Sequence, residues 1–148
     1  MHKSSEKLPH ERIYVKFRRL QQLMRRRSEG IMSHRKSMTM VERRLRQWVR
    51  EGKYRLDYGS MDKILDDLGL TGGELSSYCS KKFNKSFLSW RKELRIKEAK
   101  KRLLDSPEVP AYRIGRELGI SDKSDFRHQF KSITGYTPGQ WREKYLKK

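Results

Sequence analysis

Two related stretches of the sequence decide the fold, ILDDLGLTGGELSSYC at residues 64–79 and IGRELGISDKSDFRHQF at residues 114–130. Each stretch has apolar residues at helical spacing, then a glycine, then apolar residues four positions apart. The matching positions before and within the turn lie fifty residues apart: Ile64, Leu68, Gly69 and Leu70 match Ile114, Leu118, Gly119 and Ile120. Beyond the turn the offset is fifty-one residues, so Cys79 matches Phe130. The repetition predicts a duplicated unit of helix, glycine turn and helix.

The sequence around these units also has the apolar period of helices, and no run alternates as a strand does. Thr39-x-x-Glu42 has the form of a capping box and predicts the start of a first helix. Ser60 and the box at Thr71–Glu74 predict two further helix starts. Asn84 predicts a helix end, because asparagine tolerates a positive φ better than most residues.

We therefore predict an all-α fold of about seven helices, in which a long linking helix joins two helix-turn-helix subdomains. The tandem domain is predicted at residues 39–148, with a first unit at about 60–84, a linking helix at about 87–104, a second unit at about 110–134 and a closing helix at about 138–146. Residues 1–38 are predicted to be a separate basic segment.

The composition indicates a polyanion as partner. The chain has 37 Lys and Arg residues against 18 Asp and Glu residues, which gives a formal net charge of +19. A field of this sign attracts nucleic acid or an anionic membrane surface. The single cysteine, Cys79, excludes a disulfide within the chain, and the four histidines have no ligand-like spacing. We predict no metal, no cofactor, no catalytic residues and no small-molecule site.

The repeated unit has the design of a DNA-binding helix-turn-helix, in which the first helix braces the second in the major groove. A single copy of this pattern would more often be an ordinary helical hairpin. Two copies at a fixed offset in a strongly basic chain favour the DNA-binding interpretation.

The residues that carry a family resemblance lie in three groups: Arg95-Ile96-x-x-Ala99-x-x-x-Leu103, Ile114-Gly115-x-x-x-Gly119-Ile120 and Phe126-x-x-x-Phe130-Lys131-x-x-x-Gly135-x-Thr137-Pro138-x-x-Trp141-Arg142. In this order and spacing they resemble the C-terminal domain of the AraC/XylS family of bacterial transcription regulators, over about residues 41–146. The resemblance implies seven helices and two recognition helices that enter successive major grooves. The sequence departs from the usual pattern at Asp125 and His128, so its preferred DNA sequence is expected to be unusual.

The second recognition helix is predicted to read bases with Lys123, Ser124, Asp125 and His128, and to bury Phe126, Phe130 and Ile133. The first is predicted to face DNA with Gly73, Ser76 and Ser77, which are too short to clamp a base. Phosphate contacts are predicted for Ser80, Lys81, Arg91, Arg127 and Lys131. The three tryptophans are predicted to pack in the core rather than to stack on unpaired bases.

The N-terminal segment has apolar residues at helical spacing among arginines: Ile13, Phe17, Leu20 and Met24. Three interpretations stay open, namely a short coiled coil, a helix on an anionic membrane or a membrane tether, and a disordered basic arm that adds affinity for DNA. We rank the arm or tether above the coiled coil, because two heptads are short.

We conclude from the sequence that the chain is a sequence-specific binder of duplex DNA that regulates transcription, with RNA polymerase as a further partner. A cytoplasmic, nucleoid-associated location is expected, and a membrane-tethered form of a longer chain stays open. The alternative is a basic architectural protein that binds DNA or RNA without reading sequence.

Overall fold

The computed structural model describes the backbone of residues 9–146 and the side chains of residues 18–29 and 39–146. Over this range the chain is helical and contains no strand, which confirms the predicted all-α class. The α-helices are α1 Pro9–Arg50, α2 Met61–Leu68, α3 Gly72–Phe83, α4 Phe87–Asp105, α5 Ala111–Glu117, α6 Lys123–Thr134 and α7 Pro138–Leu146, with a 3₁₀ turn at Lys53–Arg55. No helix in the described range combines the length and hydrophobicity that a membrane span requires.

The chain divides between Met40 and Val41 into two compact units. In the first, the side chains of residues 18–29 are exposed, and they include Leu20, Leu23 and Met24. This part of the chain is helical from Pro9 onward, in contrast to the disordered arm that the sequence left open.

The predicted helix start at Thr39 is wrong, because α1 runs through Thr39 without interruption. A capping box acts only where the chain enters a helix from an extended conformation. Here the preceding residues are already helical, and neither glycine nor proline lies between Gly30 and Gly52 to interrupt them. The helix ends at Arg50, and Gly52 then takes a left-handed conformation with φ 70°.

In the second compact unit, α4 is the central helix and packs against α3, α5, α6, α7 and the 3₁₀ turn. Two groups of core residues lie along it. The first is rich in aromatic rings: Trp48 contacts Phe87 and Trp90, and Trp90 stacks on Phe83 with ring centroids 4.9 Å apart. The second contains the fully buried rings of Phe126 and Phe130. Both groups hold their helix-turn-helix against α4 by burial of apolar surface.

Tryptophan packing agrees with the predicted core role, since Trp48 is buried and Trp90 and Trp141 are half-buried.

Ile133 is more exposed than predicted. Its side chain is 40% exposed, although it lies three residues after the buried Phe130. Helical spacing places Ile133 near the apolar face of α6, but the last turn of that helix is only partly covered by other elements.

Candidate nucleic-acid interface

The two glycine turns have the same hydrogen-bond pattern. In the first unit, the Leu70 amide donates to the Leu65 carbonyl at 3.1 Å, and in the second the Ile120 amide donates to the Gly115 carbonyl at 2.9 Å. These bonds close a helix end in the way typical of a Schellman motif, which requires a left-handed residue. Gly69 and Gly119 provide it, with φ 64° and 84°. Each turn therefore sends the chain directly from a bracing helix into the next one.

The helices that follow the turns begin at capped N-termini. The Thr71 hydroxyl accepts from the Glu74 amide at 3.2 Å, and the Glu74 carboxylate accepts from the Thr71 amide at 2.9 Å. This is the predicted capping box. At the start of α6 the Asp122 carboxylate accepts from the Asp125 amide at 2.8 Å. The caps fix where α3 and α6 start, and thereby which residues each helix presents outward.

The helix α6 presents a wide polar face. Phe126 and Phe130 point into the core, and all the residues predicted to contact DNA from this helix are exposed: Lys123, Ser124, Asp125, Arg127, His128 and Lys131. Together they offer cationic donors, a carboxylate acceptor and an imidazole that can donate or accept. This is the combination of groups that can distinguish base edges in a major groove.

Lys123 is supported by a residue that the sequence analysis did not single out. Its ammonium lies 4.2 Å from the centroid of the Tyr112 ring on α5. A cation over the face of an aromatic ring is attracted by the ring quadrupole. The bracing helix thus orients a side chain of α6. The signal in the sequence was Tyr112, which lies on the bracing helix before Gly119.

The helix α3 presents a face of small residues. Gly73, Ser76 and Ser80 are exposed, Ser77 is half-buried, and Lys81 is exposed in the last turn. By the fifty-one-residue offset, Ser76, Ser77 and Ser80 stand where α6 has Arg127, His128 and Lys131. The exposed face of α3 therefore carries shorter side chains than the matching face of α6.

Arg91, which is predicted to contact a phosphate, makes hydrogen bonds within the protein. Its guanidinium is half-buried and donates to the carbonyl of Tyr54 at 3.2 Å and to that of Leu56. Arg95, one turn later, donates to the same two carbonyls at 2.7 and 3.2 Å. Burial lowers the pKa of Arg91 and lowers that of Arg95 to about 10. Two of the five N–H donors of Arg91 thus hold backbone carbonyls, and a phosphate contact through the others stays a prediction.

Arg142 in α7 makes a similar internal contact, which was also not foreseen. It donates to the carbonyls of Leu103, Ser106 and Val109 at distances of 2.5 to 2.9 Å. The last carbonyls of a helix have no hydrogen-bond partner within the helix. A cationic side chain can donate to them and is also favoured by the helix dipole. Arg142 therefore closes the end of α4 and fixes the loop that leads into the second unit.

The cysteine and the potential metal ligands are the remaining side chains that could carry chemistry. Cys79 is fully buried, and burial raises the pKa of its thiol to about 11. At neutral pH it is a protonated, inert core residue. Within residues 18–29 and 39–146, no three His, Cys, Asp or Glu side chains are grouped so that they could hold a metal ion.

Comparison with known proteins gives concordant results. A family model described as "Helix-turn-helix domain" matches residues 64–144. The arabinose operon regulatory protein of Escherichia coli is 30% identical over 125 residues, which are 83% of this chain and 42% of that protein. The arabinose operon regulatory protein of Salmonella typhimurium is 36% identical over 73 residues, or 49% of this chain and 26% of that protein. The chain thus spans less than half the length of these curated relatives.

Two solved structures have a similar fold. The C-terminal domain of AraT, a response regulator from Geobacillus stearothermophilus, superposes with a TM-score of 0.60 at 23% identity, over 71% of this chain and 84% of that one. A protein of unknown function from Listeria innocua superposes with a TM-score of 0.51 at 26% identity, over 57% of this chain and 79% of that one. With the family match covering more than half of the sequence, the chain belongs to the AraC/XylS family of helix-turn-helix transcription regulators.

Proposed function

We propose that the chain binds duplex DNA at specific sequences, with α3 and α6 in successive major grooves, and that it regulates transcription. The observation that carries this proposal is the pair of matched turns, each followed by a capped helix whose outer face is polar and exposed. A major groove about 12 Å wide admits one helix, so two such helices on one domain suit a bipartite site. The function requires no catalytic step and no cofactor.

The proposed division of contacts follows the exposed faces. Base contacts are assigned on α6 to Lys123, Ser124, Asp125 and His128. The α3 residues Gly73, Ser76 and Ser77 are assigned to close backbone or thymine-methyl contacts. Phosphate contacts are assigned to Ser80, Lys81, Arg127 and Lys131. A carboxylate next to phosphates is repelled unless it has a donor, so Asp125 is expected to accept from a cytosine amino group or from a neighbouring cation.

The experiment compares affinity for a selected site with affinity for random duplex over a salt series. We expect a preference of roughly a thousandfold or more, because specific regulators exceed their own non-specific binding by that factor. The alternative, a basic architectural protein, predicts nearly equal affinities with the same salt dependence. Equal affinities would therefore replace the proposed function by the alternative.

The basic segment at the start of the chain is proposed to add affinity without adding specificity. Within residues 18–29 it presents exposed arginines, with one exposed acid, Glu29, within reach of Arg25. Deletion of residues 1–36 is expected to lower affinity for every duplex and to make the salt slope shallower, while the ranking of sites stays the same. Loss of site preference on deletion would make the segment a specificity element instead.

One further partner and a location follow from a regulatory role. RNA polymerase is proposed as the protein partner, and transcription from a promoter that carries the selected site, with and without the protein, tests it. A cytoplasmic location at the nucleoid is proposed on the same ground. The exposed Leu20, Leu23 and Met24 among arginines are also compatible with an anionic membrane surface. Sedimentation with vesicles that contain or lack anionic lipid separates this from DNA binding alone.

A further inference from the structure

The 3₁₀ turn that leads into the first unit is held by the linking helix. Arg91 and Arg95 of α4 both donate to the carbonyls of Tyr54 and Leu56, which flank the turn residue Arg55. Because the acceptors are backbone atoms, these bonds fix the path of the chain between α1 and α2. The first helix-turn-helix is thereby attached to α4 at a defined position.

The same 3₁₀ turn lies directly against the glycine turn of the second unit. A Cβ atom on Gly119 would be only 2.2 Å from the carbonyl oxygen of Arg55. No side chain can be accommodated at this distance, so the two backbones approach as closely as a glycine permits. The segment that leads into the first unit therefore contacts the turn of the second unit at this point.

One carboxylate joins the groups around this contact. The Oε2 atom of Glu98 on α4 accepts from the Tyr54 hydroxyl at 2.5 Å and from Nε of Arg55 at 2.7 Å. Its Oε1 atom accepts from Arg102 at 2.8 and 3.1 Å. Arg102 also donates to Glu117 of α5 at 3.1 Å. A continuous chain of hydrogen bonds thus runs from the 3₁₀ turn through Glu98 to the bracing helix of the second unit. Lys53 of the same turn donates to Asp67 of α2 at 3.1 Å, which ties the turn to the first unit.

Glu98 is more buried than the arginines that pair with it. Its side chain is 16% exposed, whereas the partners Arg55 and Arg102 are 37% and 32% exposed. Burial disfavours its charge, but the hydrogen bonds from Arg55, Tyr54 and Arg102 outweigh that effect and keep the pKa of Glu98 below its usual value. A partly desolvated carboxylate depends on all its donors, so the network resists displacement of any one of them.

We infer that Glu98 is a positioning residue that fixes the orientation of the two helix-turn-helix units and so determines which spacing between two DNA half-sites the protein accepts. This inference rests on the proposed binding of both units to one duplex. One base pair of added spacer moves a half-site by about 3.4 Å along the helix and by roughly 34° around it, given a turn of about 10.5 base pairs. A rigidly coupled pair of recognition helices cannot follow such a change, and the gain from simultaneous binding is then lost.

The experiment measures the affinity of the full chain for its selected site and for versions in which one or two base pairs are added to or removed from the centre. For the unaltered protein we expect each change of spacing to lower affinity by at least about tenfold, because simultaneous engagement is worth roughly 10²–10⁴-fold. For Glu98→Ala and Glu98→Gln the penalty is expected to fall to about threefold or less, with base preference within each half-site unchanged.

The matched control is Glu93→Ala. Glu93 also lies on α4 and pairs with a lysine, Lys85, at 2.7 and 2.8 Å. Lys85 lies between α3 and α4, so this pair does not involve the 3₁₀ turn or the second unit. It should retain the spacing penalty of the unaltered protein. Arg102→Ala removes the link to the second unit while leaving Tyr54 and Arg55 on Glu98, and it should relax spacing like the Glu98 variants. The helical signal in far-UV circular dichroism identifies the variants that are folded. With three variants at two positions, the test can still be made if one of them does not fold.

The possible results distinguish a failure of the positioning role from a failure of the proposed function. Folded Glu98 and Arg102 variants with an unchanged spacing penalty, whether or not they bind more weakly overall, would overturn the positioning role and leave the proposed function intact. An unaltered protein that prefers its sequence but tolerates every spacing would show that the units do not act as a rigid pair, which also overturns it. An unaltered protein with no sequence preference would remove the proposed function itself.

Discussion

The first and second helix-turn-helix units have the same turns but different exposed faces. The hydrogen bonds at Leu70 and Ile120 are equivalent, and so are the left-handed glycines before them. Outside the turn, however, small serines on α3 correspond to Arg127, His128 and Lys131 on α6. The comparison teaches that turn and core residues are enough to specify the repeated fold, since the exposed positions of the two units differ. Long charged side chains are therefore available on α6 where α3 offers only short hydroxyls, and the proposed division of DNA contacts rests on this difference.

The units also differ in what surrounds their turn glycines. A Cβ atom on Gly69 would be 2.9 Å from the end of the Arg44 side chain, whereas on Gly119 it would be 2.2 Å from the Arg55 carbonyl oxygen. A flexible side chain can move away, but a backbone carbonyl held by its neighbours cannot. The second turn is therefore constrained from outside as well as by its own φ angle.

The largest expected effect comes from alanine at these two glycines. Gly119→Ala should reduce the free energy of unfolding by about 3 kcal/mol or more, because a left-handed alanine is strained and also clashes with backbone. Gly69→Ala should cost about 1–2 kcal/mol, the penalty for the left-handed conformation alone. Urea titrations of both variants measure the difference. Equal losses at the two positions would contradict the contrast between the turns.

The next effect concerns base recognition. Asp125→Ala and His128→Ala are each expected to relax preference at one or two base pairs in one half of the site, since a good base contact contributes roughly 1–3 kcal/mol of discrimination. Ser76→Ala and Ser77→Ala should leave the preferred sequence almost unchanged. Selection of preferred sites from a random library measures this for each variant. A shifted consensus for the serine variants, with none for Asp125 or His128, would reverse the roles of the two helices.

A smaller effect is expected from the matched positions Lys131 and Ser80. Lys131→Ala should weaken binding about equally for all sequences and reduce the salt slope by about one, the value for one lost phosphate contact. Ser80→Ala removes no charge and should leave the slope unchanged. Affinity measured at several salt concentrations gives both slopes. A change of consensus in Lys131→Ala would show that this lysine contacts a base.

The smallest effect on stability is expected at the helix ends, where one unit has asparagine and the other has glycine in the same left-handed conformation. Asn84 and Gly135 end α3 and α6 at left-handed φ angles of 55° and 82°. Apart from its two chain neighbours, none of the described residues has a heavy atom within 4 Å of a Cβ built on Gly135. Gly135→Asn should therefore cost less than about 1 kcal/mol, because asparagine tolerates this conformation. Thermal unfolding provides the measurement, with Asn84→Gly as the reciprocal variant. A loss well above this figure would mean that Gly135 is required for a reason beyond its φ angle.

Local signals in the sequence predicted the helices well where the chain itself provides the partner. Thr71 and Glu74 satisfy each other across three residues, and Gly69 and Asn84 end helices through their own backbone preference. The same kind of signal failed at Thr39, because a capping box has no effect inside a helix that is already formed. Helical period also misplaced Ile133, since a period gives the direction of a side chain but not whether another element covers it.

The sequence by itself determined the helical class, the turn positions and the polar face of α6, because each depends on residues within a few positions of one another. It also determined the duplication, because a repeat at a fixed offset is visible in the order of the residues alone. Only the tertiary structure decided the roles of Arg91, Arg95 and Glu98. Their partners at Tyr54, Arg55 and Leu56 lie 35 to 44 residues away along the chain. A basic residue on a polar helix face has the same local pattern whether it meets a phosphate, water or a carbonyl. Which of these it meets depends on how α4 packs against the 3₁₀ turn, and that is a property of the folded core.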